Sequence, residues 1–322
     1  MTPVDSASSA VPVLSLADNA PTASRTRGVT WAFVSAACYS LTSVGGKNLL
    51  PALGVSSLLF WRFSLAALVS WVILLIWRHH GGPDPVDAPR VRLLLLGLWF
   101  GALVATGFWA LQRLDASVYI VLVYTYPALV AVGSSLIGRP LRPRVWLALA
   151  VTMFGVALTV PDLFSGQGAL DLAGVLGALG QAVLFAGYMI VSGQVLPRGL
   201  NGLVAVAWNL PGAALFMAPF VVVGWLTVPQ SPGVRLELVI FVLVPTVGAM
   251  SAFFLAMRDI SPTLVAMILT FELALVILWS WLLLGESIEP IQIAGALTVA
   301  IGVLWAQASS GDSDEPLPIP QP

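Results

Sequence analysis

The chain has 322 residues, of which 58% are hydrophobic and only 9% are charged, and its formal net charge is -1. Because a typical soluble domain carries about 25% charged residues, this composition excludes a soluble protein and indicates an all-α protein that crosses a membrane several times. The near-neutral charge and the lack of basic runs argue against nucleic-acid binding. The single cysteine, Cys38, excludes an intramolecular disulfide.

Ten apolar segments of membrane-spanning length follow one another along the chain, with connections too short to hold a soluble domain. We therefore predict ten transmembrane helices between two disordered tails, residues 1–27 and 309–322. The predicted spans, numbered one to ten, are residues 29–50, 55–77, 92–111, 117–137, 143–160, 170–196, 200–225, 235–257, 262–285 and 290–308.

The second half of the sequence repeats the first at a shift of about 146 residues, which aligns the stretch beginning at Gly28 with the stretch beginning at Gly174. Each repeat contains five spans. Because five is odd, the second repeat enters the bilayer from the opposite side, and an axis in the membrane plane relates the two. The sequence thus predicts two inverted five-helix repeats, residues 28–160 and 161–308, an architecture found in many secondary transporters.

The basic residues are distributed unevenly between the two sides of the predicted fold. With both termini and the loops after spans two, four, six and eight on one side, that side holds ten of the 14 basic residues. The positive-inside rule makes it the cytoplasmic side, so we expect a multi-pass plasma (inner) membrane protein with both termini in the cytoplasm. Most of the asymmetry comes from the first half, so the orientation of the second half depends on the count of spans.

Two ionisable residues lie within predicted spans, where a charge costs at least about 2.5 kcal/mol and therefore needs a partner, a cavity or a role. Glu272 stands about ten residues into span nine, roughly 15 Å deep; it is either a site for a proton or a substrate amine, or a hydrogen-bonded brace between helices. Arg62 stands about seven residues into span two and either captures a carboxylate bidentately or snorkels to the outer surface. The shift aligns Arg62 with Trp208 and Glu272 with Tyr126, so neither charge is repeated.

Lys47, the single lysine, closes span one and is either an interfacial anchor or a gating residue near the outer mouth. Most of the 12 tryptophans lie near span ends, where interfacial anchors are expected. The deeper aromatic residues are candidates for cavity walls: Tyr39, Trp109, Tyr126, Phe185 and Trp208.

Proline residues are expected to interrupt three of the spans, and the carbonyls freed at such breaks are tolerated only where protein or water satisfies them. These segments should therefore face an interior cavity. The expected interruptions are Tyr126 with Pro127 in span four, Pro211 and Pro219 in span seven, and Pro245 with Gly248 in span eight.

Several chemistries lack the residues they need. The two histidines, His79 and His80, are adjacent in a loop, so no histidine-based metal site forms within the membrane. The sequence contains no phosphate-binding GxxxxGK[ST] loop, which excludes a built-in ATPase motor. We therefore expect no cofactor and no catalysis, and an integral membrane enzyme is the alternative from a different class.

A further set of residues lies at matching places in the two repeats or singly within or beside the spans: Gly28, Gly174, Arg62, Ala110, Pro127, Gly285 with Glu286, Gln292 with Gly295, and the pairs Gly155–Val156 and Gly302–Val303. In these residues the chain resembles the drug/metabolite transporter superfamily, in particular its ten-helix exporters with two EamA-type repeats, over nearly all of residues 28–308. In the first repeat the sequence departs from the family where Gly138 is followed by Arg139 instead of a glutamate.

This resemblance implies a central cavity near the midplane, alternating access and export of amino acids, related metabolites or amphipathic drugs. Our hypothesis is an exporter of amino acids, aromatic ones first, with amphipathic drugs or other metabolites as the alternative substrates. Arg62 and Glu272 would supply the contacts that a zwitterion needs, and the deep aromatics would pack against a ring. The expected partners are the small-molecule substrate, the lipid bilayer and possible protons, with the oligomeric state left open.

The predicted topology places Gly82 and Leu141 in cytoplasmic loops. In a variant whose Cys38 has been replaced, a cysteine at either position is expected to react with a membrane-impermeant thiol reagent in inside-out vesicles and to stay unlabelled in intact cells. Labelling from outside the cell would overturn the topology.

Overall fold

A computed structural model describes residues 20–114, 116–138, 141–159, 171–197, 199–284 and 289–309. Over these ranges the chain forms helices joined by short turns, as expected for chain segments that must satisfy their backbone groups internally. The helices are α1 (Ala20–Leu53), α2 (Val55–His79), α3 (Arg90–Leu111), α4 (Ala116–Val123), α5 (Tyr126–Leu136), α6 (Pro143–Leu158), α7 (Leu172–Val195), α8 (Gly202–Gly224), α9 (Pro232–Val242), α10 (Ala249–Asp259), α11 (Pro262–Leu269), α12 (Glu272–Leu284) and α13 (Pro290–Ser309).

These helices form the ten predicted membrane spans of an all-α polytopic fold. Seven helical segments among the described residues are long and apolar enough to cross a membrane, and α6 and α13 are shorter apolar helices. Helix α1 supplies the first span. Three spans are divided: α4 and α5 form span four, α9 and α10 form span eight around the π-helical turn Leu243–Gly248, and α11 and α12 form span nine.

Apart from the start of α1, the observed ends differ from the predicted ones by three residues or fewer. Helix α1 begins at Ala20, so the last residues of the predicted N-terminal tail are helical. The rest of that tail (1–19) and most of the C-terminal tail (310–322) lie outside the described residues, as do Arg139 and the Gly285–Glu286 pair.

The packing of the helices follows the predicted inverted repeat. Helix α1 packs against α10, and its equivalent α7 packs against α3; likewise α1 contacts α11 and α12, while α7 contacts α4 and α5. The close approaches are also repeated. A Cβ atom on Gly28 would lie 2.8 Å from Asp259 Cβ, and one on Gly174 would lie 2.7 Å from Leu114 Cγ. The shift of 146 residues relates these two contacts, which shows that both repeats bring their first helix equally close to the end of a helix from the other repeat.

The last helices of the two repeats, α6 and α13, cross each other through small residues. A Cβ atom on Gly155 would lie 2.6 Å from the Val299 backbone nitrogen, and one on Gly302 would lie 2.8 Å from the Thr152 backbone nitrogen. Lipid tails are as apolar as the side chains, so close backbone packing is a main source of affinity between membrane helices. Glycine at these positions permits it.

Spans four and nine are broken at equivalent positions, the turns Tyr124–Thr125 and Thr270–Phe271. Thr125 Oγ1 donates to the Leu122 carbonyl at 2.7 Å, and Thr270 Oγ1 donates to the Met267 carbonyl at 2.6 Å. These hydroxyls satisfy carbonyls near the helix breaks. The break in span nine lies next to Glu272 and contains neither proline nor glycine, which is why the sequence pattern did not predict it.

The prolines of span seven do not break it, contrary to expectation, because α8 continues through both Pro211 and Pro219. Proline removes one backbone donor, and neighbouring helices in a membrane protein can absorb that loss. Pro127 instead begins α5, and Pro245 lies in the π-helical turn of span eight. The interruptions of spans four and eight therefore agree with the sequence analysis.

The crossing of α6 and α13 predicts a specific sensitivity to side-chain volume. Gly155→Ala is expected to lower the stability by about 1–3 kcal/mol, since overpacking forces the backbone apart. Gly180→Ala in α7 is the matched control: among the described residues, no atom beyond its own stretch of helix lies within 4 Å of the added Cβ, so it should leave stability unchanged or raise it by up to about 1 kcal/mol. Thermal unfolding in detergent measures both; a Gly155→Ala protein as stable as the wild type would contradict this packing argument.

Candidate functional site

Arg62 is buried inside the helix bundle, with only 5% of its surface exposed. Its Nε donates to Thr246 Oγ1 at 2.8 Å, and its Nη2 donates to the Pro245 carbonyl at 3.1 Å. The guanidinium also lies 4.9 Å from the centre of the Phe241 ring, a distance typical of a cation–π contact. Arg62 therefore points into the protein and does not snorkel to the surface.

These contacts also fix the depth of the guanidinium. Pro245 and Thr246 lie at the middle of the 28-residue segment Pro232–Asp259 that forms span eight. Although Arg62 begins about two turns from the start of α2, its charge is held near the centre of a neighbouring span.

Glu272 is the first residue of α12 and follows directly after the break in span nine. Its carboxyl group lies beside the Tyr124 hydroxyl, and it attracts the Arg62 guanidinium over a longer distance than a direct ion pair. A carboxylate at a helix N-terminus is also stabilised by the helix dipole. Glu272 comes from the second repeat and Arg62 from the first, so the charge pair joins the two halves of the protein.

Four of the five tyrosines of the chain lie near Glu272, and the fifth, Tyr188, lies near Tyr39. Tyr39, Tyr119, Tyr124 and Tyr126 are each close enough to Glu272 to interact with it electrostatically, and Tyr188 interacts in the same way with Tyr39. Tyrosine is normally enriched at the membrane surface. Here the hydroxyls are gathered in the interior, where they supply polar contacts within an otherwise apolar bundle.

The tyrosines are held by contacts from both repeats. Tyr119 donates from its hydroxyl to Gln181 Oε1 at 2.7 Å, and Tyr126 donates to the Ala266 carbonyl at 3.2 Å. Tyr188 accepts from Asn209 Nδ2 at 3.3 Å. The ring of Phe185 lies 4.6 Å from that of Tyr126. We call Arg62, Glu272 and the five tyrosines the central polar cluster.

Most of the residues singled out from the sequence lie in or beside this cluster. Tyr39 and Tyr126 belong to it, and Phe185 packs against Tyr126. Pro127 is buried at the start of α5, next to Tyr126.

Two tryptophans expected to line the interior lie elsewhere. Trp109 is 42% exposed in the last turn of α3, where the Arg113 guanidinium lies 3.9 Å from its ring centre. Trp208 donates from Nε1 to the carbonyl of Pro85, in the turn between α2 and α3, and packs against Trp71. Both contacts place these rings near helix ends. The backbone of Lys47 belongs to α1, and its side chain lies outside the described part of the structure.

The sequence analysis missed Tyr119, Tyr124, Tyr188 and Thr246. A signal for the tyrosines exists, because every tyrosine in the chain falls inside a predicted span and none lies in a loop. Thr246 has no comparable signal, since threonine is common in membrane helices and usually bonds to its own helix.

Among the residues that the structure describes, no three His, Cys, Asp or Glu side chains lie close enough together to hold a metal ion.

Comparison with known proteins assigns the fold to a family. The EamA-like transporter family matches the chain twice, over residues 26–160 and 172–306. The chain belongs to this family. Each match covers one five-helix repeat, so this EamA-like transporter is a multi-pass membrane protein of the drug/metabolite transporter type that handles a small-molecule substrate.

Solved structures agree with this fold. Twenty-nine chains of known structure match, and one crystal structure superposes with a TM-score of 0.75 at 17% sequence identity, covering 88% of this chain and 96% of its own. Comparison with curated protein sequences finds no match.

The electrostatic attraction between Arg62 and Glu272 predicts energetic coupling between them. Arg62→Met and Glu272→Gln should each destabilise the protein by leaving the other charge uncompensated, and the double variant should recover about 0.5–3 kcal/mol relative to the sum of the single changes. Unfolding in detergent measures this cycle. Arg144→Met is the control, because Arg144 is exposed in the first turn of α6; its effect should simply add to that of Glu272→Gln. Additivity for Arg62 as well would rule out the coupling.

Proposed function

We propose that this EamA-like transporter is a secondary transporter that exports amino acids, aromatic ones first, from the cytoplasm by alternating access. The observation that carries the proposal is the charge pair of Arg62 and Glu272, one from each repeat, within the central polar cluster. The proposed substrate site lies between them, near the middle of the bilayer, with both termini of the chain in the cytoplasm.

The balance of charge favours a zwitterion. Arg62 and Glu272 carry opposite formal charges, so the site is close to neutral before a substrate enters. A zwitterion adds one positive and one negative group and leaves the loaded site neutral. A permanent cation or anion would add a net charge to a low-dielectric interior, which is costly.

The walls of the proposed site favour an aromatic side chain. Tyr39, Tyr126 and Phe185 present rings close to the charge pair, and aromatic rings pack against one another with preferred edge and offset geometries. The substrate ammonium would bind Glu272 and the nearby tyrosine hydroxyls, and its carboxylate would be attracted by the positive charge of Arg62.

The repeat supports alternating access. The two repeats pack against each other through equivalent contacts, and spans four and nine are broken at equivalent positions beside the cluster. In inverted-repeat transporters the two states are related by exchanging the conformations of the repeats. Rocking about these breaks would expose the site first to one side and then to the other.

We assign Glu272 to recognition of the amine and not to a proton relay. A relay needs a second titratable acid or histidine within reach, and the other acidic residues in the predicted spans, Asp171 and Glu237, lie within three residues of a span end.

A transport assay tests the class and the substrate together. Purified protein in liposomes loaded with L-phenylalanine is expected to exchange external labelled L-phenylalanine, with saturation and with acceleration by internal substrate. Protein-free liposomes provide the background. A non-saturating, ohmic current would show a channel, and a reaction product formed from lipid would show an enzyme. Exchange of lipophilic drugs with no exchange of any amino acid would replace the proposed substrate class.

Glu272→Gln separates the two roles of the carboxylate. If Glu272 binds the amine, exchange should fall by at least tenfold and the apparent affinity should drop, because a charged hydrogen-bond partner is lost. If Glu272 instead carries protons, exchange should persist while net transport loses its dependence on pH. A variant with normal exchange, net transport and pH profile would leave Glu272 as a structural brace and end the proposal for this residue.

A further inference from the structure

Thr246 connects the buried arginine to the irregular turn in span eight. Its Oγ1 accepts the hydrogen bond from Arg62 Nε at 2.8 Å and donates to the Phe241 carbonyl at 2.9 Å. Thr246 is 2% exposed, so no solvent could replace either contact. A single hydroxyl therefore links the Arg62 guanidinium to the backbone just before the π-helical turn.

The π-helical turn also provides a backbone carbonyl that bonds to Arg62. In a π-helical turn the regular helical bonding is shifted by one residue, and Pro245 has no backbone N–H to donate. The Pro245 carbonyl accepts from Arg62 Nη2 at 3.1 Å. Phe241, one helical turn earlier, places its ring 4.9 Å from the guanidinium. The Phe241 ring, the Pro245 carbonyl and the Thr246 hydroxyl of span eight thus all contact the Arg62 side chain of α2.

Helix α1 closes this arrangement from the other side. A Cβ atom on Gly45 would lie 2.6 Å from the Phe241 ring, so α1 packs directly against the ring that contacts Arg62. The ring cannot move away without displacing α1. Arg62 is therefore enclosed by α1, α2 and the π-helical turn.

Without these contacts, the Arg62 side chain would point in a different direction. From the second turn of α2, a guanidinium without an internal partner would extend toward the membrane surface, where water solvates it. In that position its charge would be several ångströms farther from Glu272 and from any substrate between them. The direction of Arg62 is thus a property that other residues must impose.

We propose that Thr246 is a positioning residue, which holds the Arg62 guanidinium at the depth of Glu272 and so determines how strongly the site binds the carboxylate of its substrate. The expected effect of Thr246 on transport rests on the proposed function. The contact between Thr246 and Arg62 is observed independently of that function.

The first test compares three variants in L-phenylalanine exchange. Thr246→Val keeps the shape of the side chain and removes the hydroxyl; it is expected to raise KM by about tenfold or more, with a smaller effect on the maximal rate, because a charge-assisted hydrogen bond that orients Arg62 is lost. Thr246→Ser restores the hydroxyl and should return KM to within about threefold of the wild type. Thr152→Val is the matched control, since Thr152 is also buried and its hydroxyl bonds within its own helix, to the Ala148 carbonyl at 2.9 Å.

The second test asks whether Thr246 acts through Arg62. In an Arg62→Met background, Thr246→Val should raise KM no further, since the group that it positions is absent. If the two changes instead multiply their effects on KM, or if Thr246→Val alone leaves KM at the wild-type value, the positioning role is refuted. A rise in KM that Thr246→Ser fails to reverse would also refute it.

The third test needs no substrate and separates failure of this inference from failure of the proposed function. The Thr246→Val and Arg62→Met changes should be non-additive in thermal unfolding of the detergent-solubilised protein, whatever it transports. Non-additive unfolding without any L-phenylalanine exchange would retain the Thr246–Arg62 contact and reject the proposed substrate. Additive unfolding would reject the contact, even in a protein that exchanges L-phenylalanine.

Discussion

The structure depends on the requirement that every backbone carbonyl freed inside the bilayer find a partner within the protein. Three spans are irregular, and side chains supply polar contacts at each irregularity. Thr125 and Thr270 donate to carbonyls at the breaks of spans four and nine, and Arg62 donates to the Pro245 carbonyl in the π-helical turn. Tyr126 donates across the repeat boundary to the Ala266 carbonyl. Irregular backbone and polar side chains therefore occur together, because each makes the other tolerable.

The same requirement explains why the charged residues break the symmetry of the repeat. The breaks of spans four and nine, the close glycine contacts and the helix pairs are duplicated by the shift of 146 residues, since they define the shape that both repeats share. Arg62 and Glu272 occur once each, opposite an aromatic residue at the equivalent position. Duplicating either would place a second buried charge of the same sign in the interior, which costs several kcal/mol. A symmetric scaffold thus holds a single asymmetric site.

The sequence analysis succeeded for features that are local in the chain. The ten spans follow from the length of the apolar segments, and Glu272 was recognised because a carboxylate in the middle of such a segment is conspicuous. The sequence analysis failed for features that depend on contacts with residues far away in the chain. The break at Thr270 contains no proline or glycine, and α8 remains continuous through Pro211 and Pro219. For Arg62, the sequence left open whether the side chain points inward or outward. Trp109 and Trp208, two candidates for cavity walls, make their contacts away from the central polar cluster.

The sequence by itself determined the number of spans, their pairing into inverted repeats and the identity of the two charged residues in the interior, because hydrophobic length and a constant repeat offset can be counted along the chain. Only the tertiary structure decided which face of each helix points inward and how deep each long side chain reaches. Almost all residues of a span are apolar, whether they face lipid or protein, so hydropathy carries little information about the rotation of a helix. Tyr124 and Tyr126 lie near Glu272, and Arg62 turns toward Thr246, because neighbouring helices fix those rotations.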